Sequence, residues 1–480
     1  MISEQQKNSF YEIIKRIIQD ALPKIQKLLD DRKYISSHHD YPISVSITEG
    51  QWPSTNTTNL LSGLHNNNYA NYSSAFTDRK SDNEILVTDL LGYDELLNFL
   101  NQNEEFKTRL NYVKYPDDVV EFMWLIIIGD IVERYISKHK KTDFNEDGFK
   151  TVFHEVLNIY LLEKLEYDIC VPILMLEFED DIIELSENFS IEKMTKDFIR
   201  SKHFIGNYDS RFERIVLDCA THMFVIKGYH YNPHHDGNSL IRFAYRDIYP
   251  LDVINKLFAC IRIVTKFPTG YAQIIARPLN NWICLHCQGD LMGVTGAKVE
   301  EYPPSFKEHY WLEPHNRINT LTGNKIKNLF SQLGDDKRLK LAIGRLNRSA
   351  LRNNEEDTIL DVVIGLELLL SDNNKSELTY KFSSRMAAIS TLYDNFPFSP
   401  NNVKEHITKI YGYRSNVVHS GEAKPATKII QLSESAAIET IELAIDYLKF
   451  AIEILAKNPK YLESQKIDEL IMNKLENKIV

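Results

Sequence analysis

Between Tyr167 and Met194 the chain reads YDICVPILMLEFEDDIIELSENFSIEKM, with β-branched and apolar residues on both sides of the acidic EFEDD. Helical spacing does not fit this stretch; it predicts a hairpin followed by another short strand. Three further segments carry strand texture: CATHMFVIKGYHY (219–231), GYAQIIARPL (270–279) and NWICLHCQGDLMGV (281–294). A mixed α/β region over 167–322 is therefore expected, set between two stretches whose apolar residues recur at helical intervals.

The first of those stretches opens with Phe10, Ile13, Ile14, Ile17, Ile18, Leu22, Ile25 and Leu28, spaced three and four apart over 7–31, which predicts an amphipathic helix. The Asn-, Ser- and Thr-rich tract 53–76 reads as a loop. Helical spacing returns in DELLNFLNQ, DDVVEFMWLIIIGDIVERYISKH and GFKTVFHEVLNIYLLEKL. Beyond Gly323 no strand signal competes, and helices are expected near 323–333, 335–351, 355–371, 376–393, 400–417, 432–457 and 460–478. The fold class is mainly α, with a helical region over 1–166, the mixed region over 167–322 and a helical bundle over 323–480. A chain of 480 residues is long for one hydrophobic core, which favours such a division.

A formal charge of −11 argues against indiscriminate nucleic-acid binding, which needs clustered Lys and Arg. The imbalance is uneven: residues 331–480 hold 20 of the 56 basic and 21 of the 67 acidic residues, so nearly all of the negative charge falls on the rest. An anionic substrate meets less repulsion at the C-terminal end. Five scattered cysteines do not form a disulfide framework and read as reduced thiols. FMWLIIIGDIV (122–132) is too short to cross a bilayer and is interrupted by Asp130, and the first residues have neither the apolar core of a signal peptide nor a basic transit composition. A cytoplasmic protein without membrane contact is expected.

The C-terminal helices carry the chemistry. In NNEEDTILDVVIGLELLLSD an asparagine precedes three acids, and Ile359, Val363, Leu366 and Leu370 form one stripe on which Glu367 also falls. A carboxylate on a core-facing stripe needs a partner. Arg385, between Phe382 and Ile389 on the next helix, and Arg414 are the two candidates. Arg414 lies in YGYRSNVVHSGEA (411–423), five positions before His419. A histidine titrates near neutral pH and serves as acid or base, whereas an arginine stays charged and offers a planar fork to two phosphate oxygens. The same two residues also suit a helix end, where basic side chains meet exposed carbonyls and Ser-Gly terminates the helix.

The string EEDTILDVVIGLELLLSDNNKSELTYKFSSRMAAIS, followed by ITKIYGYRSNVVHSGEA and a final long helix, resembles the HEPN superfamily and, within it, the Apea-like HEPN group. The resembling features cover about residues 350–457, in order and at the right spacing. The resemblance implies a helical bundle that dimerises, with the R-x(4–6)-H motifs of two protomers meeting in one cleft. Many such proteins are metal-independent endoribonucleases of toxin, abortive-infection and anti-phage defence systems. Carried over, the motif is Arg414 and His419, supported by Ser415, Asn416, Glu367 and Arg385, the last two as a buried ion pair that orients the site. Ser415 stands where many HEPN nucleases carry Asn, Asp or His. Gly421 occupies the position where another HEPN branch has a tyrosine that partner enzymes modify. Implied partners are an RNA substrate, with transfer RNA as a target, a second copy of the chain, and a phage-derived trigger or regulatory protein; no cofactor and no metal are implied. The alternative is a non-catalytic scaffold that binds a nucleotide, an RNA or a protein.

Other constellations are weaker. Cys284, His286 and Cys287 form a single knuckle, and structural zinc needs four ligands. His230, His234, His235 and Asp236 sit in a Pro/Gly turn that reads as a polar loop, with stacking on bases as a minor role. SHHDY (37–41) reads the same way. No phosphate loop, dinucleotide fingerprint, nucleophile elbow or zincin helix is present in the sequence.

Overall fold

The computed structural model describes residues 2–58, 70–78, 84–110, 117–205, 211–233, 240–283, 289–308, 312, 316–372, 378–420, 427–433 and 436–476. The chain begins with α1 (Glu4–Asp30), whose cap is set twice over: Ser3 accepts from the Gln6 amide while the Gln6 side chain accepts from the Ser3 amide. Its apolar stripe, Phe10 to Ile25, is fully buried, as the spacing predicts. The antiparallel pair β1 (Pro42–Ile47) and β2 (Pro53–Thr57) and the two-residue pair β3 (Phe76–Thr77) and β4 (Ile85–Leu86) follow. Next come α2 (Tyr93–Gln102), α3 (Glu104–Leu110), α4 (Asp117–His139) and α5 (Glu146–Leu161).

The polar tract 53–76 is thus not all loop. Thr55 donates its amide and hydroxyl to the buried Asp218 carboxylate, and this anchor gives a Ser/Thr-rich segment enough partners to pair as a strand.

The middle of the chain supplies β5 (Leu165–Leu174), β6 (Glu177–Phe178), β7 (Ile182–Ser186), β8 (Phe189–Lys193), α6 (Lys196–Lys202), α7 (Arg211–Asp218), β9 (Ala220–Tyr231), α8 (Leu251–Thr265), β10 (Tyr271–Pro278), β11 (Thr295–Glu301) and β12 (Arg317–Ile318). Six strands form an antiparallel sheet in the order β11-β10-β5-β9-β8-β7. Central β5 is buried on both faces, which is why its sequence is apolar without alternation. Its residues divide by parity: Ile169, Val171 and Ile173 join the main core, whereas Cys170 faces a smaller cluster with Phe198 of α6 and Val216 of α7. On the main-core face, Phe330 of the next helix stacks edge-on against Phe189 and Phe224. The expected strand over 281–294 is absent at its described ends; residues 295–301 pair instead, and 284–288 lie outside the described residues.

The last part contains α9 (Thr320–Gln332), α10 (Lys337–Ser349), α11 (Glu355–Leu370), α12 (Leu378–Ser390), α13 (Pro400–Ser420), the hairpin β13 (Ile429–Ser433) and β14 (Ala436–Glu439), α14 (Thr440–Lys457) and α15 (Ser464–Glu476). The molecule is mainly helical around one six-stranded antiparallel sheet. The hairpin corrects the expectation that helix begins at 432. Ala- and Glu-rich sequence favours helix locally, but Ile430 is buried opposite Ile438 and the cross-strand pairing prevails.

The expected boundaries fall inside elements: 166/167 within β5 and 322/323 within α9. One apolar cluster runs from Ile2 to Ile467, so the three sequence regions share a core. Among the described residues no helix is long and apolar enough to cross a membrane. Cys170, Cys219 and Cys260 are buried free thiols.

Candidate functional site

Helix α13 carries the Arg-His pair. Pro400 opens it, with its fixed φ and missing N–H suited to a first turn, and Ser399 Oγ accepts from the Asn402 amide at 3.3 Å. Val403, His406, Ile407, Ile410, Tyr413 and Val417 form its buried stripe. His406 was not singled out from sequence. It is a core histidine bonded through Nδ1 to the Tyr447 hydroxyl at 2.9 Å, and burial lowers its pKa. Its place three after Val403 and four before Ile410 was the available signal.

Arg414 lies at the edge of this stripe and is half-buried, whereas His419 is exposed in the last turn. Five residues along a helix turn a side chain by about 140° around the axis. Arg414 and His419 of one chain therefore point to different sectors, and His419 shares its sector with the half-buried Ser415 and Asn416, one turn earlier. The pair sits within a continuous helix rather than in a turn after one. Gly421 lies outside the described residues.

One ring contact, one unsatisfied donor and one nearby carboxylate define the surroundings of Arg414. Its guanidinium carbon stands 5.8 Å from the Tyr411 ring centre. Its Nε is buried and has no acceptor among the described residues. The charged group that acts on it is Glu367, half-buried on α11, and no ion pair joins the two within 4.0 Å among the described residues. Burial raises the Glu367 pKa, and the positive charge of Arg414 only partly opposes that rise. Helix α11 is held at its start by Asn354, whose side chain accepts from the Asp357 amide at 2.7 Å. Nearby, Glu355 accepts from Lys428 at 2.8 Å and from the buried Tyr413 hydroxyl at 3.5 Å; burial and then the Glu355 charge raise the Tyr413 pKa.

Arg385 does not pair with Glu367, contrary to expectation. Its guanidinium is 2% exposed and donates to both oxygens of Asp468 on α15, to Asp372 Oδ2 and to the Leu370 carbonyl, all at 2.7 to 2.9 Å. Arg385 ties α12 to α15 and to the end of α11, and of the two candidate partners only Arg414 acts on Glu367.

The candidate metal residues Cys284, His286, Cys287, His234, His235 and Asp236 lie outside the described residues, and His230 is exposed near the end of β9. In SHHDY, His38 Nε2 stands 2.6 Å from the buried Glu133, and Tyr41 hydrogen-bonds Asp290. Among the described residues no group of three or more His, Cys, Asp or Glu is placed to share a metal ion.

No family model, curated protein or solved structure matches the chain.

Proposed function

We propose that the chain is a metal-independent HEPN endoribonuclease of a defence system, in which Arg414 binds the scissile phosphate and His419 moves the proton. The observation that carries this reading is the state of Arg414: a guanidinium whose buried Nε has no acceptor, and which has no carboxylate within 4.0 Å, among the described residues. A guanidinium with a donor to spare favours a phosphate oxygen, which accepts charge-assisted bonds from its planar fork.

The angular separation on α13 supports a site built from two copies, each contributing Arg414 and His419 from different sectors of its helix. With two α13 helices apposed in a homodimer, the Arg414 and His419 side chains of both copies border one phosphate. The 2′-hydroxyl of the RNA then attacks phosphorus and the 5′-oxygen leaves. One histidine accepts the 2′-hydroxyl proton, the symmetry-related histidine protonates the leaving oxygen, and Arg414 stabilises the charge on the phosphorane oxygens. The products are a 2′,3′-cyclic phosphate and a free 5′-hydroxyl. Ser415 and Asn416, in the sector of His419, orient the imidazole or the phosphate.

A second reading is favoured by Ser415, which replaces the stronger polar group of many HEPN nucleases: a scaffold in which the same Arg414 holds RNA or a partner without turnover. The deciding experiment is cleavage of transfer and messenger RNA in excess EDTA, with His419→Ala in parallel. Cleavage by the wild type that is lost in the variant is the expected result. RNA binding without cleavage in both would replace the nuclease with the scaffold.

A further inference from the structure

We propose that the cavity between α8, α10 and α14 binds a small phosphorylated ligand of mononucleotide size. This inference is independent of RNA cleavage. The cavity has a volume of about 660 Å³, within the range of small-molecule sites. Arg262, Lys266, Arg352 and Lys449 line it together with Phe267, while the carboxylate in its lining, Glu308, is solvent-exposed.

Two of these cations are already neutralised. Lys266 pairs with Asp446 at 2.7 Å, and Arg352 pairs with Asp361 at 2.8 Å and with Asp357 at 3.7 Å. The other two have no carboxylate within 4.0 Å among the described residues. Arg262 is 5% exposed, and its two bonds go to neutral acceptors, the Asn347 side chain and the Thr269 carbonyl. Its Nε is buried with no acceptor among the described residues. Lys449 is half-buried, and its pKa is lowered by burial and by the charges of Lys266 and Arg262, against the opposing pull of Asp446 and Glu442.

Two mutually repelling cations with no carboxylate in contact are costly to keep in a fold, and a bound dianion would lower that cost. Lys449 acts as the movable point charge on a phosphate, Lys266 joins it by exchanging Asp446 for the phosphate, and the pinned Arg262 supplies field from behind. Phe267 offers a flat apolar surface to the organic part. The ligand would bridge the middle of the chain, through α8, to the C-terminal helices, through α10 and α14.

The test is thermal unfolding and calorimetric titration of the full chain with two probes, inorganic pyrophosphate and ADP. Lys449→Met is compared with Lys457→Met, which lies on the same helix but outside the cavity. Both probes are expected to raise the wild-type Tm, ADP at the lower concentration. Lys449→Met should raise the Tm without any probe, because an unpaired buried charge is gone, and should weaken probe binding at least about ten-fold. Lys457→Met should leave both readouts as in the wild type. Absence of binding by both probes at millimolar concentration overturns the proposal, as does binding that Lys449→Met leaves unchanged. Lys449-dependent binding of a single-stranded RNA oligonucleotide, with neither probe bound, also overturns it, because the site would then belong to a polymer. Should Lys449→Met fail to fold, Lys266→Met supplies the same comparison of probe binding.

Discussion

Arg414 distinguishes two roles that its position alone leaves equal. An arginine that serves as a helix cap or structural anchor makes bonds whose loss destabilises the fold, whereas Arg414 has a buried Nε that the fold leaves unsatisfied. Such a group costs about 1–3 kcal/mol, while its contact with the Tyr411 ring returns about 0.5–1 kcal/mol. Arg414→Met should therefore leave stability unchanged or raise it by up to about 2 kcal/mol while abolishing RNA cleavage or binding. A loss above about 2 kcal/mol in denaturant unfolding would show a structural arginine instead. Glu367 gives the complementary test. Its folded pKa is raised above the ordinary 4.5, so its ionised form is disfavoured by folding, and this cost is present at neutral pH and disappears as pH falls below that value. Glu367→Gln is expected to stabilise by about 0.5–1 kcal/mol at pH 7 and to lose that advantage at pH 4. A variant equally stabilised at both pH values would detach the effect from the carboxylate charge. The spacing of Arg414 and His419 was legible in the sequence, but the unpaired Nε was not, because an absent acceptor is a property of the neighbouring helix.

At the scale of the element, Arg385 is the contrast. Sequence places it on the apolar face of its helix and calls for a carboxylate, and Glu367 is the acid in view. The fold instead brings Asp372 from just beyond α11 and Asp468 from α15, 83 positions away. Periodicity specifies that a face is buried; it does not specify which helix lies opposite. The same limit explains the hairpin β13–β14, whose strands exist through pairing, while the helices of this region were read correctly from spacing that each helix carries within itself. Arg385→Met should cost about 2–4 kcal/mol, since it strands a desolvated site with two carboxylates and an open Leu370 carbonyl. Loss of this clamp should also free α15, so amide exchange in 464–476 is expected to rise more than in α11 or α13. RNA cleavage or binding per folded molecule should stay at the wild-type level, and a loss in parallel with Arg414→Met would return Arg385 to the site.

For the whole molecule, three textures in the sequence became one core. A strand-rich middle between helical flanks reads as three domains when each stretch is judged by its own pattern. Burial is decided between stretches, however, and here Phe330 of α9 closes on Phe189 and Phe224 of the sheet. Asn347 of α10 donates to the Asn255 carbonyl on α8 and accepts from Arg262. A fragment cut at the sequence boundary, residues 323–480, would lose the first turn of α9 and the cover of Phe330, exposing an aromatic ring that buries on the order of 150–250 Å². It would also leave Asn347 without its Arg262 partner. The full chain should therefore unfold in one cooperative transition, whereas the fragment should bind ANS and show a broad, weak transition by near-ultraviolet circular dichroism. A fragment that melts sharply near the full-length Tm would mean that the C-terminal helices fold independently and that the shared cluster is an interface between domains. The distinction bears on mechanism: in a single core, a ligand in the α8–α10–α14 cavity acts on packing continuous with α11 and α13, whereas between independent domains it would act only on their docking.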